Sequence, residues 1–440
     1  MVAEAPSSLL NRIGPQQGTL AIQPEGSHSF VTLTVIIFLP FAAGYLLSYL
    51  FRTVNALVAP DLTAALGLTA SDLGLLTSAY FLSFALAQIP LGVMLDRFGP
   101  RQVQAVLLLV AAAGSIVFGL GRTTLALAVG RVLIGLGVSG ALMAGLKSLA
   151  QWFPKERIPL ANGFFIMFGG LGAYAAAGPS ELLLQMTDWR TLFLLLAAAT
   201  ALAAGLILLV VPEYPSSGGQ SSVRDVVLGL RRVYRSSFFW SIAPASGCAI
   251  GAAWSVQGLW AGRWLADVEH LSRPAVVSHL SVMAAALCIG SVVSGIAIDR
   301  LKKVGVRPST TMAGAFALFV LLDLLVVCRA PLPTYVVWAA FGTFASGTVF
   351  GYSLLAEHFP KEFAGRANTA LNLIHMSVAF GLQAGMGAIV DLWPKAAGSY
   401  PPVAYQAAFA LPLVLQFVSL CWMVLSLRLS ELRRPLPASA

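Results

Sequence analysis

The sequence predicts an all-α membrane protein of twelve transmembrane helices arranged as two six-helix bundles. Three observations lead there. Of the 440 residues, 58% are hydrophobic and only 10% charged, against about 25% charged in a soluble domain. Uncharged runs long enough to cross a bilayer recur along the whole chain. A short motif closing the second run returns 203 residues later, at the matching place in the second half.

The helices follow from the gaps between charges, because a spanning helix needs roughly 20 mostly apolar residues. Such gaps lie between Glu25 and Arg52, Asp72 and Asp96, Arg101 and Arg122, Arg157 and Glu181, and Arg190 and Glu213. Others lie between Arg235 and Arg263, Arg273 and Asp299, Arg329 and Glu357, Arg366 and Asp391, and Lys395 and Arg428. Two further apolar stretches are each broken by one charge, Arg131 in one and Asp323 in the other. The first helix is expected to run past Arg52 towards Pro60.

The longest polar break, 213–237, begins with a Pro-Ser-Ser-Gly-Gly-Gln-Ser-Ser run of flexible linker composition. Val223, Val226, Val227 and Leu230 then recur at helical spacing beside Arg224, Arg231, Arg232 and Arg235, as in a basic amphipathic helix on a membrane surface. The expected organisation is a cytoplasmic tail 1–28, a first bundle 29–212, a linker 213–237, a second bundle 238–428 and a cytoplasmic tail 429–440. With the N-terminus inside, 19 of the 27 Lys and Arg residues fall on the cytoplasmic side, the positive-inside bias. The net charge of +9 therefore reports topology and not nucleic-acid binding. The four cysteines lie in or at the ends of apolar runs, as small buried hydrophobes. Arg outnumbers Lys 21 to 6, which suggests a bacterial inner membrane. No metal site, phosphate loop or catalytic triad is legible, so neither an enzyme nor a cofactor is expected.

The repeated motif reads Gly92-Val-Met-Leu-Asp96-Arg97 and Gly295-Ile-Ala-Ile-Asp299-Arg300. Two units repeating in the same orientation suit a parallel-repeat transporter architecture. The fuller form, Gly92-x3-Asp96-Arg97-x-Gly99-x-Arg101, resembles the signature loop of the major facilitator superfamily between its second and third helices. The resemblance implies a secondary transporter working by alternating access. It also implies that Gly92, Asp96, Arg97, Gly99 and Arg101, with Gly295, Asp299 and Arg300, latch the cytoplasmic side in the outward-facing state. The second copy departs after Arg300, with Leu-Lys-Lys-Val inserted before Gly305.

Charges inside the spans mark the candidate site, because an Arg at a helix centre costs about 2.5–3.5 kcal/mol on insertion scales. Arg52 lies eight residues before Pro60, and Arg131 nine after Arg122, so both are roughly 12–14 Å from the outer boundary. Two guanidinium groups at one level of a wet cavity would repel each other when it is empty and accept a carboxylate or phosphate. Tyr45, Ser48, Tyr49, Arg52 and Asn55 share one helical face. Further candidates for the cavity are Tyr80 and Gln88, Gln257 and Trp260, Tyr352, and Asn368, Asn372, His375 and Gln383.

Arg131-x3-Gly135 resembles the fourth-helix motif of many facilitators. The stretch Arg52-Thr-Val-Asn-Ala-Leu-Val-Ala-Pro60, followed by Asp72-Leu-Gly74, resembles the first-helix end of the organophosphate:phosphate antiporters. Their seventh-helix Arg has no counterpart in Trp254-Ser255-Val-Gln257-Gly-Leu-Trp260. Lys147-Ser-Leu-Ala-Gln-Trp152-Phe153-Pro154-Lys-Glu156-Arg157 is similar to the loop after the fourth helix of the anion:cation symporters, although their two intramembrane acids are Phe51 and Val138 here. These resemblances imply a monomeric, proton-coupled importer of a small organic anion, expected to be a carboxylate. A drug or metabolite exporter and a non-transporting membrane solute sensor are the alternatives.

Reporter fusions after residues 220 and 437 are expected to report the cytoplasm in both cases. A periplasmic signal from either contradicts the helix count.

Overall fold

The computed structural model describes residues 29–214, 223–346, 350–395 and 399–432. The expected tail 1–28, the Gly-Ser stretch 215–222 and the last residues 433–440 lie outside them. Ten described helices are long and apolar enough to cross a membrane. The 51-residue one, Ala70–Leu120, changes direction at Gly99, whose φ of 76° and ψ of 162° lie outside the helical region. It therefore supplies two spans. A further apolar helix, 237–267, is interrupted by a π segment at Val256–Trp260 and completes the expected twelve.

We number the spans α1 (30–66), α2 (70–98), α3 (100–120), α4 (Thr124–Trp152), α5 (Lys155–Met186), α6 (Trp189–Val210), α7 (237–267), α8 (Arg273–Lys303), α9 (Pro308–Val327), α10 (Thr334–His358), α11 (Lys361–Val390) and α12 (Pro402–Leu432). Local chemistry sets the ends. Thr69 and Asp72 form a reciprocal capping box at the start of α2. Asp188 accepts from the Thr191 N–H at the start of α6. The basic helix expected after the linker is present as Val223–Tyr234. One of its faces packs on α11, with the Tyr234 hydroxyl donating to the Ala370 carbonyl (3.2 Å) and Arg232 over the Phe363 ring.

The first six spans meet the last six chiefly through α2 against α11, α5 against α8 and α1 against α7. At α2–α11 the backbones nearly touch. A Cβ on Gly74 would stand 2.7 Å from the Gln383 carbonyl oxygen, and one on Gly387 would stand 2.5 Å from that of Ala70. Small residues at a helix crossing permit this approach.

The polar ties of the seam lie at one end of the molecule. Arg273, opening α8, holds Asp61 at the end of α1 through two hydrogen bonds of 3.0 Å. It also holds Glu181 near the end of α5 at 2.9 and 3.1 Å. The Asp391 carboxylate, just past α11, accepts from the Ala70 N–H (3.1 Å) and the Ser71 N–H (2.7 Å) at the start of α2, and the Tyr400 hydroxyl donates to it as well. An acid at a helix N-terminus is doubly favoured, by its hydrogen bonds and by the helix dipole. Burial alone would raise the Asp391 carboxyl, but the bonds from Ser71 and Tyr400 outweigh it and hold it at about 2. A carboxyl depressed in this way contributes stability that is complete above its unfolded value and is lost only as pH falls towards about 2.

The opposite end carries the basic loops, and we call it the basic face. Ion pairs there join Lys147 to Asp96 (2.6 Å) and Arg101 to Glu213 (3.8 Å) in the first half, and Lys302 to Glu357 (3.5 Å) in the second. The ties of Arg273 and Asp391 thus bind the halves together at the end away from the basic face.

Breaking the Arg273 ties should loosen that seal. The carbonyl of buried Ala56 lies against Gly262 inside it. In a cysteine-free chain carrying Ala56→Cys, adding Arg273→Gln should speed labelling by a membrane-impermeant thiol reagent several-fold. Equal labelling rates would mean that Arg273 does not hold this end shut.

Candidate functional site

Between the halves lies a cavity of about 320 Å³. Its walls come from α1, α2, α4 and α5 on one side and from α7, α8, α10 and α11 on the other. It reaches Leu146 and Asn368, six and seven residues from the basic-face ends of α4 and α11. At 1.5 Å per residue these lie about 10 Å from that face. The other end stops at Arg52 and Gln257, beneath the tied seam. The cavity is therefore directed towards the basic face.

Arg52 is the charged side chain on this wall, and it is 5% exposed. Its guanidinium carbon lies 4.5 Å from the ring centre of Tyr49, 4.5 Å from that of Trp254 and 5.6 Å from that of Phe84. Tyr49 belongs to the same helix, Phe84 to α2 and Trp254 to α7 in the other half. Ring faces carry partial negative charge and attract the cation, but they offer its N–H groups no lone pair to bond. The buried Arg52 Nε has no hydrogen-bond partner. No ion pair involving Arg52 occurs among the described residues.

Tyr45, Tyr49, Arg52, Gln257, Tyr352 and Asn372 all line the cavity. Ser48, Gln88 and Asn368 line it too, and the other six candidates, Asn55, Tyr80, Arg131, Trp260, His375 and Gln383, stand behind its wall. The Asn55 amide donates to Thr77 (2.9 Å), and the Tyr80 hydroxyl donates to the Ser48 carbonyl (3.3 Å). Trp260, buried in the π segment, directs its indole N–H to the Gln383 amide oxygen (3.2 Å). His375 is fully buried, with its two ring nitrogens bonded to Ser246 and Tyr352.

Arg131 departs most from the expectation of two guanidinium groups facing one space. It is fully buried, donates to the Phe51 carbonyl (2.9 Å) and lies 5.4 Å from the Phe118 ring. The reason is close packing. Gly135 brings α4 against the Tyr80 backbone of α2, and Ser48 donates across to the Val138 carbonyl. The Arg131 side chain is thereby enclosed behind α1, where it holds the backbone of the residue before Arg52.

The signature-loop residues lie on the basic face. Asp96 pairs with Lys147, which also donates to the Leu95 carbonyl (2.8 Å). Arg97 lies over the Phe98 ring. Arg101 donates to the Leu208 carbonyl (2.5 Å). Gly99 is the hinge between α2 and α3, and a Cβ on Gly92 or Gly295 would meet nothing within 4 Å. Arg300 is exposed, and the side chain of Asp299 lies outside the described residues.

Sequence reasoning passed over Trp254, although its spacing of three from Gln257 puts the two on one helical face. It also missed Phe84, Ser139 and the apolar part of the wall formed by Leu142, Met143, Leu146, Ile166 and Met167. Those residues carry no mark that separates a cavity lining from a lipid-facing or core surface.

Residues 41–384 match the Major Facilitator Superfamily. A probable sulfoacetate transporter of Cupriavidus necator is 24% identical over 380 residues, covering 82% of this chain and 84% of the relative. A probable L-galactonate transporter of Escherichia coli is 23% identical over 392 residues, covering 85% and 82%. Among solved structures, a bacterial homologue of the human lysosomal transporter Spinster, inward-facing and unoccupied, superposes with a TM-score of 0.74 over 93% of this chain and all of that one, at 16% identity. With twelve apolar helices around a central cavity and a family match over most of its length, the chain belongs to the Major Facilitator Superfamily and is a multi-pass membrane transporter, not an enzyme.

Proposed function

We propose that this protein is a secondary active transporter that moves a small organic anion, a carboxylate or sulfonate, by proton-coupled alternating access. The observation that carries the reading is Arg52, a buried cation on the cavity wall with ring faces around it and, among the described residues, no acid paired to it. A planar guanidinium suits a carboxylate or sulfonate through paired N–H bonds. Relatives named for transport of sulfoacetate and L-galactonate, both small organic anions, support it.

In this reading Tyr45, Tyr49, Gln257, Tyr352 and Asn372 complete the polar lining around the bound anion. Residues 29–212 and 238–428 act as the two rocking bundles of a monomer. The basic face is cytoplasmic, both termini lie there, and the membrane is the bacterial inner membrane. The cavity as described is then inward-facing. The ties of Arg273 and Asp391 break when it turns outward, and the Asp96–Arg97 and Asp299–Arg300 loops close the cytoplasmic side instead. A bound anion favours turnover only if it is held more tightly in the states between these two than in competing ones.

Purified protein should be stabilised by at least one of sulfoacetate, L-galactonate and a hexuronate in a thermal-shift assay. Arg52→Gln should fold and lose the stabilisation at least tenfold in apparent affinity. Arg52→Lys should also bind poorly, because a point charge does not reproduce the planar fork. Near wild-type anion affinity in Arg52→Gln would overturn the anion site, and stabilisation by amphipathic cations in its place would indicate an exporter.

A further inference from the structure

Behind the cavity wall, three helices bring together a continuous set of hydrogen-bonding side chains. Tyr352 of α10 lines the cavity. Its hydroxyl donates to the Asn372 carbonyl oxygen of α11 (3.0 Å) and bonds the Nδ1 of His375 on the same helix (2.9 Å). The Nε2 of His375 bonds the Ser246 hydroxyl of α7 (2.9 Å). His375 is fully buried, and its ring stands edge-on to Trp254 at 6.2 Å, the indole that also covers Arg52.

Both neighbours of the imidazole are hydroxyls, which donate and accept equally well. A neutral ring is satisfied by taking a hydrogen from one and giving one to the other. A doubly protonated ring is also satisfied. It donates from Nδ1 to Tyr352 and from Nε2 to Ser246, while the Tyr352 hydrogen goes to Asn372. Both ring nitrogens keep a partner in either state, the Ser246 hydrogen turning away from the ring when Nε2 donates. A backbone N–H as partner of either nitrogen would have held that nitrogen as an acceptor and the ring neutral. Among the described residues no carboxylate pairs with this histidine, so nothing permanent on the protein balances a charge there. Arg52 is the nearby cation, and Tyr45, Tyr49, Tyr352 and Cys288 are further titratable groups that line the shared space.

We infer that His375 is the proton-binding site of the transport cycle, and that Tyr352 is the link through which it exchanges protons with the anion-occupied cavity. The inference rests on the anion-transporter reading above. The proton path balances directly. A hydronium ion in the cavity gives a proton to the Tyr352 oxygen and leaves water; Tyr352, its hydroxyl turned from Asn372 to an unprotonated Nδ1, passes its own hydrogen to that nitrogen, and the ring becomes imidazolium while the hydroxyl is restored. Adding that charge beside Arg52 puts two buried cations around one space, which is unfavourable while the space holds only water. A bound anion offsets both. Anion binding and protonation therefore favour one another, and by linkage each raises the affinity for the other by the same factor. This reciprocity is what couples a proton gradient to anion uptake.

The test measures protons directly. Purified wild-type protein in weakly buffered solution with a pH-sensitive dye is mixed with sulfoacetate or L-galactonate, whichever stabilises it. About one proton should be taken up for each anion bound, and anion affinity should rise as pH falls. No proton uptake by the wild type overturns the inference without any variant. His375→Gln should still bind the anion, with proton uptake abolished and affinity independent of pH. In proteoliposomes it should keep anion exchange and lose accumulation driven by a pH gradient. Proton uptake persisting in His375→Gln would also overturn it. Failure of the anion-transporter reading looks different, since Arg52→Gln would then bind the anion as well as wild type does.

Discussion

The structure depends on a guanidinium held inside the membrane without a permanent counter-charge. An Arg at the centre of a span costs about 2.5–3.5 kcal/mol on insertion scales. Stacking on aromatic faces returns about 0.5–2 kcal/mol, which does not replace hydrogen bonds. Arg52 is tolerated because its N–H groups face a cavity wide enough for water or an anion. Its surroundings keep it there. Arg131 bonds the carbonyl of Phe51, and Tyr80 bonds that of Ser48, so the Arg52-bearing stretch of α1 is fixed from behind by α4 and α2. Trp254, the other face of the clamp, comes from the second half. A rocking motion between the halves must therefore change the environment of Arg52, which gives a ligand at this residue leverage over the equilibrium.

The seam obeys a second constraint. Two packed bundles can exchange states only if neither seal is too strong. Here the closed end combines direct backbone approach at Gly74 and Gly387 with exposed or partly exposed polar ties at Arg273 and Asp391. Pairs of this exposure are each worth little, on the order of 1 kcal/mol. In the proposed cycle they are lost and replaced by contacts on the basic face. The glycine approach permits sliding without opening a void, and it explains why those two positions carry no side chain.

Much of the fold was legible because hydrocarbon imposes one rule, that long uncharged runs become helices. The change of direction at Gly99 falls between the charges Asp96 and Arg101, where the gaps already separated two spans. The site was only partly legible. The stripe from Tyr45 to Arg52 has the spacing of one helical face, and the structure puts it on the cavity wall. Arg131 has the same depth and charge in the sequence, but nothing local says that Gly135 would press its helix against α2 and turn the guanidinium towards a backbone carbonyl. The ties of Arg273 to Asp61 and of Asp391 to Ala70 join residues more than 200 positions apart. Their partners are fixed only when the two halves assemble, so no periodicity could announce them. The two hydroxyls that bond His375 come from α7 and α10 and were hidden for the same reason.

The most direct test of the central claim is an electron cryo-microscopy structure of the wild-type chain with a bound organic anion such as sulfoacetate. Density for the sulfonate or carboxylate within hydrogen-bonding distance of the Arg52 guanidinium, between Tyr49 and Trp254, is the predicted result. An anion bound elsewhere in the cavity, with Arg52 still covered by both rings and making no contact to it, would contradict the account.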